Sequence, residues 1–277
     1  MPGKWEYILV IKRSVSTIAG ALRHLGSRVT GNLVNLGVAA RFFVAVIVSS
    51  AICLRRPGLV IKEMYFIGVL SLVIIIVPGL FVGLVLGLQM YDTLERFGSG
   101  DIVGMVVALA LIRELGPVLS ALLISSRAGS AVTAEIGLMK TTEQLTAMEM
   151  MAIQPVSRVI APRFWAGILS VPLLTSIFNV VGIFGGYIVA VLLLGVDMGT
   201  FWSQIEAAVD FRLDVVNGII KSLFFGVAIT FIAVFQGYQA TPTAEGVSLA
   251  TTQTVVRSAF VVLGMDFVLT AFMFRGI

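Results

Sequence analysis

The chain has 277 residues, of which 58% are hydrophobic and 12% charged, with a mean hydropathy of +1.04 and a formal charge of +4. That charged fraction is about half the usual one, and a soluble fold of this length has no interior large enough for so much apolar side chain, so an ordinary soluble domain is excluded. No basic stripe with interleaved aromatics points to nucleic acid, and the lone Cys53 and lone His24 leave no disulfide and no Cys/His metal cluster to build.

Residues 1–62 read as an N-terminal cytoplasmic and interfacial helical segment. From Lys4 to Arg28 the chain is mixed and basic, without a short apolar stretch ending in a cleavage site, so the first strong span is expected to act as an uncleaved insertion signal. Within 32–54 the uninterrupted apolar run covers only 42–54, with Lys12, Arg13, Arg23 and Arg28 before it and Arg55, Arg56 and Lys62 after it. A crossing would carry one basic cluster to the wrong face. The segment is therefore expected to lie in the interface, with a sixth span as the alternative.

Residues 63–277 read as an all-α transmembrane domain. Crossing ~30 Å of hydrocarbon takes about 20 apolar residues. Five stretches meet that requirement: 66–90, 102–126, 164–196, 215–238 and 258–274. The first holds Gly79, Gly83 and Gly87 just after Pro78, a small-residue stripe suited to close helix contact, either between two copies or within one chain. The third is longer than one crossing needs, and Pro172 is its candidate kink site.

Between the second and third spans, Thr141 to Gln144 has the pattern of a capping box, and Gln154-Pro155 supplies the stop. A short cytoplasmic helix is predicted over 142–152. Leu145, Met148 and Met151 would share one face, with Glu143, Thr146 and Glu149 on another. Such a helix suits docking into a partner groove, with Met150 adding to an adaptable methionine surface, or else packing on its own bundle. After the third span, Phe201, Trp202, Ile205 and Val209 recur at helical spacing within 198–214, which predicts a short amphipathic helix at the outer interface.

Four charges fall inside spans: Arg113, Glu114, Lys221 and Asp266. Each costs at least about 2.5 kcal/mol on insertion scales, so each should face an interior or a wet cavity. Arg113 and Glu114 project about 100° apart and cannot simply pair. The expected pairs are Arg113 with Asp266 and Glu114 with Lys221. They would serve as structural glue or as a polar seam beside a substrate cavity. Counting Lys and Arg over the connections puts the N-terminus and the 127–163 connection in the cytoplasm and the C-terminus outside.

No GxxxxGK[ST] stretch is present, and no nucleophile lies in a pattern with a base, so neither ATP hydrolysis nor other enzymatic chemistry is expected of this chain. The runs Arg113-Glu-Leu-Gly-Pro, Gly129-Ser-Ala-Val-Thr-Ala-Glu-Ile-Gly137, Glu143-Gln144 with Ala147, Pro162-Arg163-Phe-Trp and Asp266-Phe-Val-Leu-Thr-Ala resemble the MlaE permeases of MCE-type lipid ABC transporters of Gram-negative bacteria. Thr146 departs from the Asp found in many relatives. The resemblance covers about 61–274. It implies two copies forming the core of an inner-membrane complex, without a cofactor. Two ATPase subunits would dock on the cytoplasmic helix through Glu143, Gln144, Leu145, Met148, Glu149 and Met151, with a STAS-type regulator on the ATPases and an MCE-domain ring on the periplasmic side. The cargo would be glycerophospholipid, moved between inner and outer membranes to maintain outer-membrane asymmetry. Leu84, Leu88, Tyr91, Leu94 and Phe97 would line its cavity, with Arg113, Glu114 and Lys221 at the edge. An ion-coupled secondary transporter with a proton relay and a non-transporting membrane scaffold are the other functional classes. No inverted repeat is visible in support of the first.

Overall fold

The computed structural model describes residues 34–50 and 56–274, and every regular element among them is helical. The helix Val34–Ser49 falls, up to Val48, in a separate unit from the rest and is too short to be counted with the membrane-crossing helices. The remainder of the interfacial segment, and the basic N-terminal stretch, lie outside the described residues.

Five helical rods are long and apolar enough to cross a bilayer: Pro57–Glu95, Gly100–Thr141, Val156–Leu193, Phe211–Gln239 and Ala244–Met273. They match the five predicted spans in number and order but extend beyond most of the predicted ends. An uncharged run measures only the part of a helix that must sit in hydrocarbon, whereas the backbone continues helical wherever its polar groups stay paired. The second span, for instance, continues through Ser130–Thr141 past the expected end at 126.

That continuation removes the expected capping box. Thr141 is the last residue of its helix and its hydroxyl donates to the Gly137 carbonyl. Glu143, in a left-handed conformation at φ 58°, makes the turn into the helix Gln144–Met150, and no side chain caps that helix. Extending the second span by about four turns consumed the residue that the pattern had assigned to the cap.

The first span is broken once. Gly68 passes into a tight 3-10 turn over Val69–Ser71 before the helix resumes as Leu72–Glu95. The Ser71 hydroxyl donates to the Ile67 carbonyl at 2.5 Å, and Arg127 Nη1 of the second span donates to the Phe66 carbonyl at 2.8 Å. Backbone acceptors at the break are thus satisfied from side chains, as they must be in a membrane.

Beyond the break, the buried face of Leu72–Glu95 consists of Ile75, Gly79, Gly83 and Gly87. This stripe is an intrachain contact with the third span. A Cβ on Gly83 would run into the Gly182 carbonyl, and one on Gly87 would come within 3.1 Å of Gly186. Small residues on both helices let the backbones meet, and the third span supplies Gly182, Gly185 and Gly186 for the purpose.

The fourth span packs against the second, third and fifth. Ala121, Phe225, Ile229 and Val262 form a buried cluster at this junction. Polar side chains also bridge the spans: Ser120 and Thr175 share a hydrogen bond at 2.5 Å, and Thr133 Oγ1 donates to the Ala233 carbonyl and meets Thr254 Oγ1 at 2.9 Å. At the end opposite Gln144–Met150, the helix Met198–Ala208 is capped by Asp197, whose carboxylate accepts from the Thr200 amide. It is held down by Phe201, whose ring packs edge-on against Tyr187 at 5.6 Å. The predicted amphipathic helix is present, but it ends before Val209, which is extended.

Candidate functional site

The in-span charges converge where the second, fourth and fifth spans meet. Arg113 and Glu114 lie in a π-helical stretch, Leu111–Leu115. Glu114 meets Lys221, as expected: Lys221 Nζ lies 2.9 Å from Glu114 Oε2. Arg113 does not meet Asp266. Its Nε lies 2.6 Å from Asp214 Oδ1, while Asp266 turns to Lys221 at 3.4 Å. Depth along the helices suited the expected pairing, and the packing of the spans brings Arg113 to Asp214 and Asp266 to Lys221 instead.

Lys221 has no exposed side-chain area. Its ammonium also donates to Thr270 Oγ1 at 2.7 Å and to the Arg113 carbonyl at 2.9 Å. A buried ammonium is tolerated only when paired and hydrogen-bonded, and this one is saturated. Glu114 and Asp266 retain 39% and 22% side-chain exposure, so three carboxylates and two cations form a seam that is sealed at Lys221 and Asp214 and open at Glu114 and Arg113.

Asp214 and Thr270 were not expected as partners of these charges, although a signal for each was present. Asp214 precedes Lys221 by two helical turns, and Thr270 follows Asp266 by one, so each shares a face with a charge already singled out.

The predicted cavity residues of the first span differ in exposure. Leu84, Tyr91 and Leu94 are half-buried, while Leu88 and Phe97 are exposed. Tyr91 borders a cleft of about 470 Å³ whose walls include Glu95, Asp101 and Asp197. Asp197 titrates below the usual carboxylate range because the Thr200 amide and hydroxyl donate to its charged form.

At the other end, Leu145 is buried within the chain and Met148 is half-buried, while Met150 (86%) and Met151 (63%) stand out. Glu143, Gln144 and Glu149 are exposed beside them. Close by, Arg163 binds Glu135 of the second span at 2.6 Å and Glu63 of the first at 3.5 Å, a three-span tie that the sequence reading missed. Lys140 Nζ adds a bond to the Tyr238 carbonyl at 2.8 Å. No group of three His, Cys, Asp or Glu side chains among the described residues is placed to hold a metal ion.

Comparison with known proteins bears on this arrangement. The family model described as Permease MlaE matches residues 60–272. The Intermembrane phospholipid transport system permease protein MlaE of Haemophilus influenzae is 50% identical over 257 residues, covering 93% of this chain and 98% of that protein. A Probable ABC transporter permease protein of Rickettsia bellii is 34% identical over 91% of this chain and 96% of its own length. The chloroplastic protein TRIGALACTOSYLDIACYLGLYCEROL 1 of Arabidopsis thaliana is 32% identical over 74% of this chain and 59% of its own.

Proposed function

The chain belongs to the MlaE permease family, and from that premise we propose that it is the membrane subunit of an ABC transporter that moves glycerophospholipid between the inner and outer membranes of a Gram-negative cell. The observation that carries the reading is the near full-length match to a phospholipid-transport permease, joined to a multi-pass helical domain. The ATP is hydrolysed by a separate subunit, and the transport maintains outer-membrane asymmetry.

In this reading the Gln144–Met150 end faces the cytoplasm. Arg56, Lys62, Arg127, Lys140, Arg158 and Arg163 belong to that end, whereas Arg96 and Arg212 belong to the other, which follows the inside-positive bias. The ATPase docks on Met150 and Met151 with Glu143, Gln144 and Glu149 around them, and a STAS-type regulator acts through it. The MCE-domain ring sits over the opposite end, and the helix Val34–Ser49 lies in the cytoplasmic interface. A second copy completes the core. Because the glycine stripe is spent inside the chain, the second copy meets the opposite, exposed row of the first span, Val77, Phe81, Val85 and Leu88. The half-buried Leu84, Tyr91 and Leu94 border the lipid cavity, with Glu114 and Arg113 at its polar edge.

Lipid mass spectrometry on the purified complex, with and without its ATPase, tests the reading. Glycerophospholipid retained above the detergent background and released by ATP is the expected result. The Lys221–Glu114–Asp266 network favours one other reading, a proton-coupled carrier. Transport that follows the proton gradient and ignores the ATPase would replace the first reading with the second.

A further inference from the structure

The half of the first span nearer Gln144–Met150 carries a groove that the transport reading does not use. It lies between the first and third spans around the break at Gly68, encloses about 450 Å³, and is walled by Ile61, Tyr65, Val69, Leu173 and Ile177. That volume falls within the range of about 300–1,000 Å³ typical of ligand sites. Ile61, Tyr65, Val69 and Leu173 are all substantially exposed on the outer surface of a membrane-spanning bundle, so the groove opens sideways toward lipid.

One feature of the groove is not apolar. Ser170 lines it, is 2% exposed, and its hydroxyl has no hydrogen-bond partner. Gly68 faces it across the floor, where a Cβ would come within 3.3 Å of Ser170 Oγ. A buried donor left unmade in hydrocarbon is destabilising, and the surrounding chains are hydrocarbon with acceptors only at their esters. The exposed Lys62 stands six positions before Gly68, about 9 Å along the helix axis and toward the water. The groove therefore presents an apolar wall and a lone hydroxyl donor, and Lys62 stands outside its lining, next in sequence to the lining residue Ile61.

We propose that this groove holds one acyl chain of a glycerophospholipid from the surrounding bilayer, with its ester carbonyl accepting from Ser170 Oγ and its phosphate directed to Lys62. The site itself stands on the membrane-spanning architecture. Its role as the place where cargo is taken from the leaflet rests on the transport reading.

The test uses the full chain with its ATPase in nanodiscs of phosphatidylethanolamine and phosphatidylglycerol, doped with phosphatidylethanolamine carrying a diazirine on one acyl chain. Photolabel is expected on peptides 61–72 and 169–177. A diester probe should label about fivefold more than its diether analogue, the difference that one net hydrogen bond supplies. Ser170→Ala should erase the diester preference and keep the diether labelling, while Leu173→Trp should fill the groove and lower labelling with both probes. Label spread evenly over every lipid-facing helix, or equal diester and diether labelling of the wild type, overturns the site. An unchanged diester preference in Ser170→Ala also overturns it and makes that hydroxyl a structural one. Labelled grooves with no ATP-driven lipid release would remove the transport reading and leave the site standing. ATP-driven release without groove labelling would do the reverse.

Discussion

Arg113 Nε lies 2.6 Å from Asp214 Oδ1, and the Asp214 carboxylate is wholly shielded from solvent. The other oxygen of the same carboxylate accepts from the Asp210 amide at 2.8 Å, so one side chain both closes the turn into the fourth span and fixes the arginine of the second. Asp214→Ala is expected to leave the Asp210 amide unpaired and Arg113 without this partner. A loss of about 3 kcal/mol, the lower end for breaking a buried pair, should appear in thermal unfolding of the detergent-purified protein, because Arg113 is still 38% exposed and can be partly solvated.

Lys221 is the cation that Glu114 and Asp266 share, and its side chain has no exposed area. Lys221→Met should therefore cost more, about 4–5 kcal/mol, by leaving both carboxylates facing a methyl group. Adding Glu114→Gln to Lys221→Met removes one uncompensated charge and should recover part of the loss. A double variant no more stable than the single would show that the network contributes less than its geometry implies.

Gly83 and Gly264 make a controlled pair. A side chain on Gly83 collides with the Gly182 backbone, while Gly264 has nothing within 4 Å of where a Cβ would sit. Gly83→Val should force the first and third spans apart and abolish a folded, monodisperse protein in size-exclusion chromatography. Gly264→Ala should be neutral or stabilising by up to about 1 kcal/mol, the helix-propensity difference.

The burial of Leu145 separates folding from docking at the Gln144–Met150 end. Leu145→Asp puts a carboxylate into the chain's own packing and should lower stability whether or not a partner is present. Met150→Asp with Met151→Asp alters only exposed positions, so it should leave unfolding unchanged and abolish co-purification of the ATPase. Undiminished co-purification of that double variant would move the docking surface elsewhere.

Asp197 gives a pH signature. Its carboxyl is held below the ordinary value by the Thr200 amide and hydroxyl. The cap is thus fully effective above the unfolded value, about 3.9, and is lost as pH falls through the lower folded value. Hydrogen exchange across Met198–Ala208 should be faster in Asp197→Ala than in wild type near neutral pH. The difference should vanish in strong acid, where both lack the charged cap.

Much of this protein was legible without coordinates. Uncharged runs of bilayer length are intrinsic to the chain, so the five spans, their order and the in-span charges follow from composition and position alone. The Glu114–Lys221 pair was legible too, because a buried charge must find an opposite one and these two lay at compatible depths. Helix rotation was not legible. Depth placed Arg113 level with Asp266, but the packed bundle brings it to Asp214, and no residue pattern announces how each helix is rotated. The glycine stripe could have joined two copies or two spans. Only the third span's own glycines, brought alongside by the tertiary packing, made it an intrachain contact. The same holds at Gln144–Met150, where spacing put Leu145 and Met151 on one face and the packing buried the first and exposed the second. Hydrophobicity determines which segments enter the bilayer, since that cost is paid residue by residue. Which side chains then meet depends on the angle at which each helix packs against its neighbours, and that is a property of the assembled bundle alone.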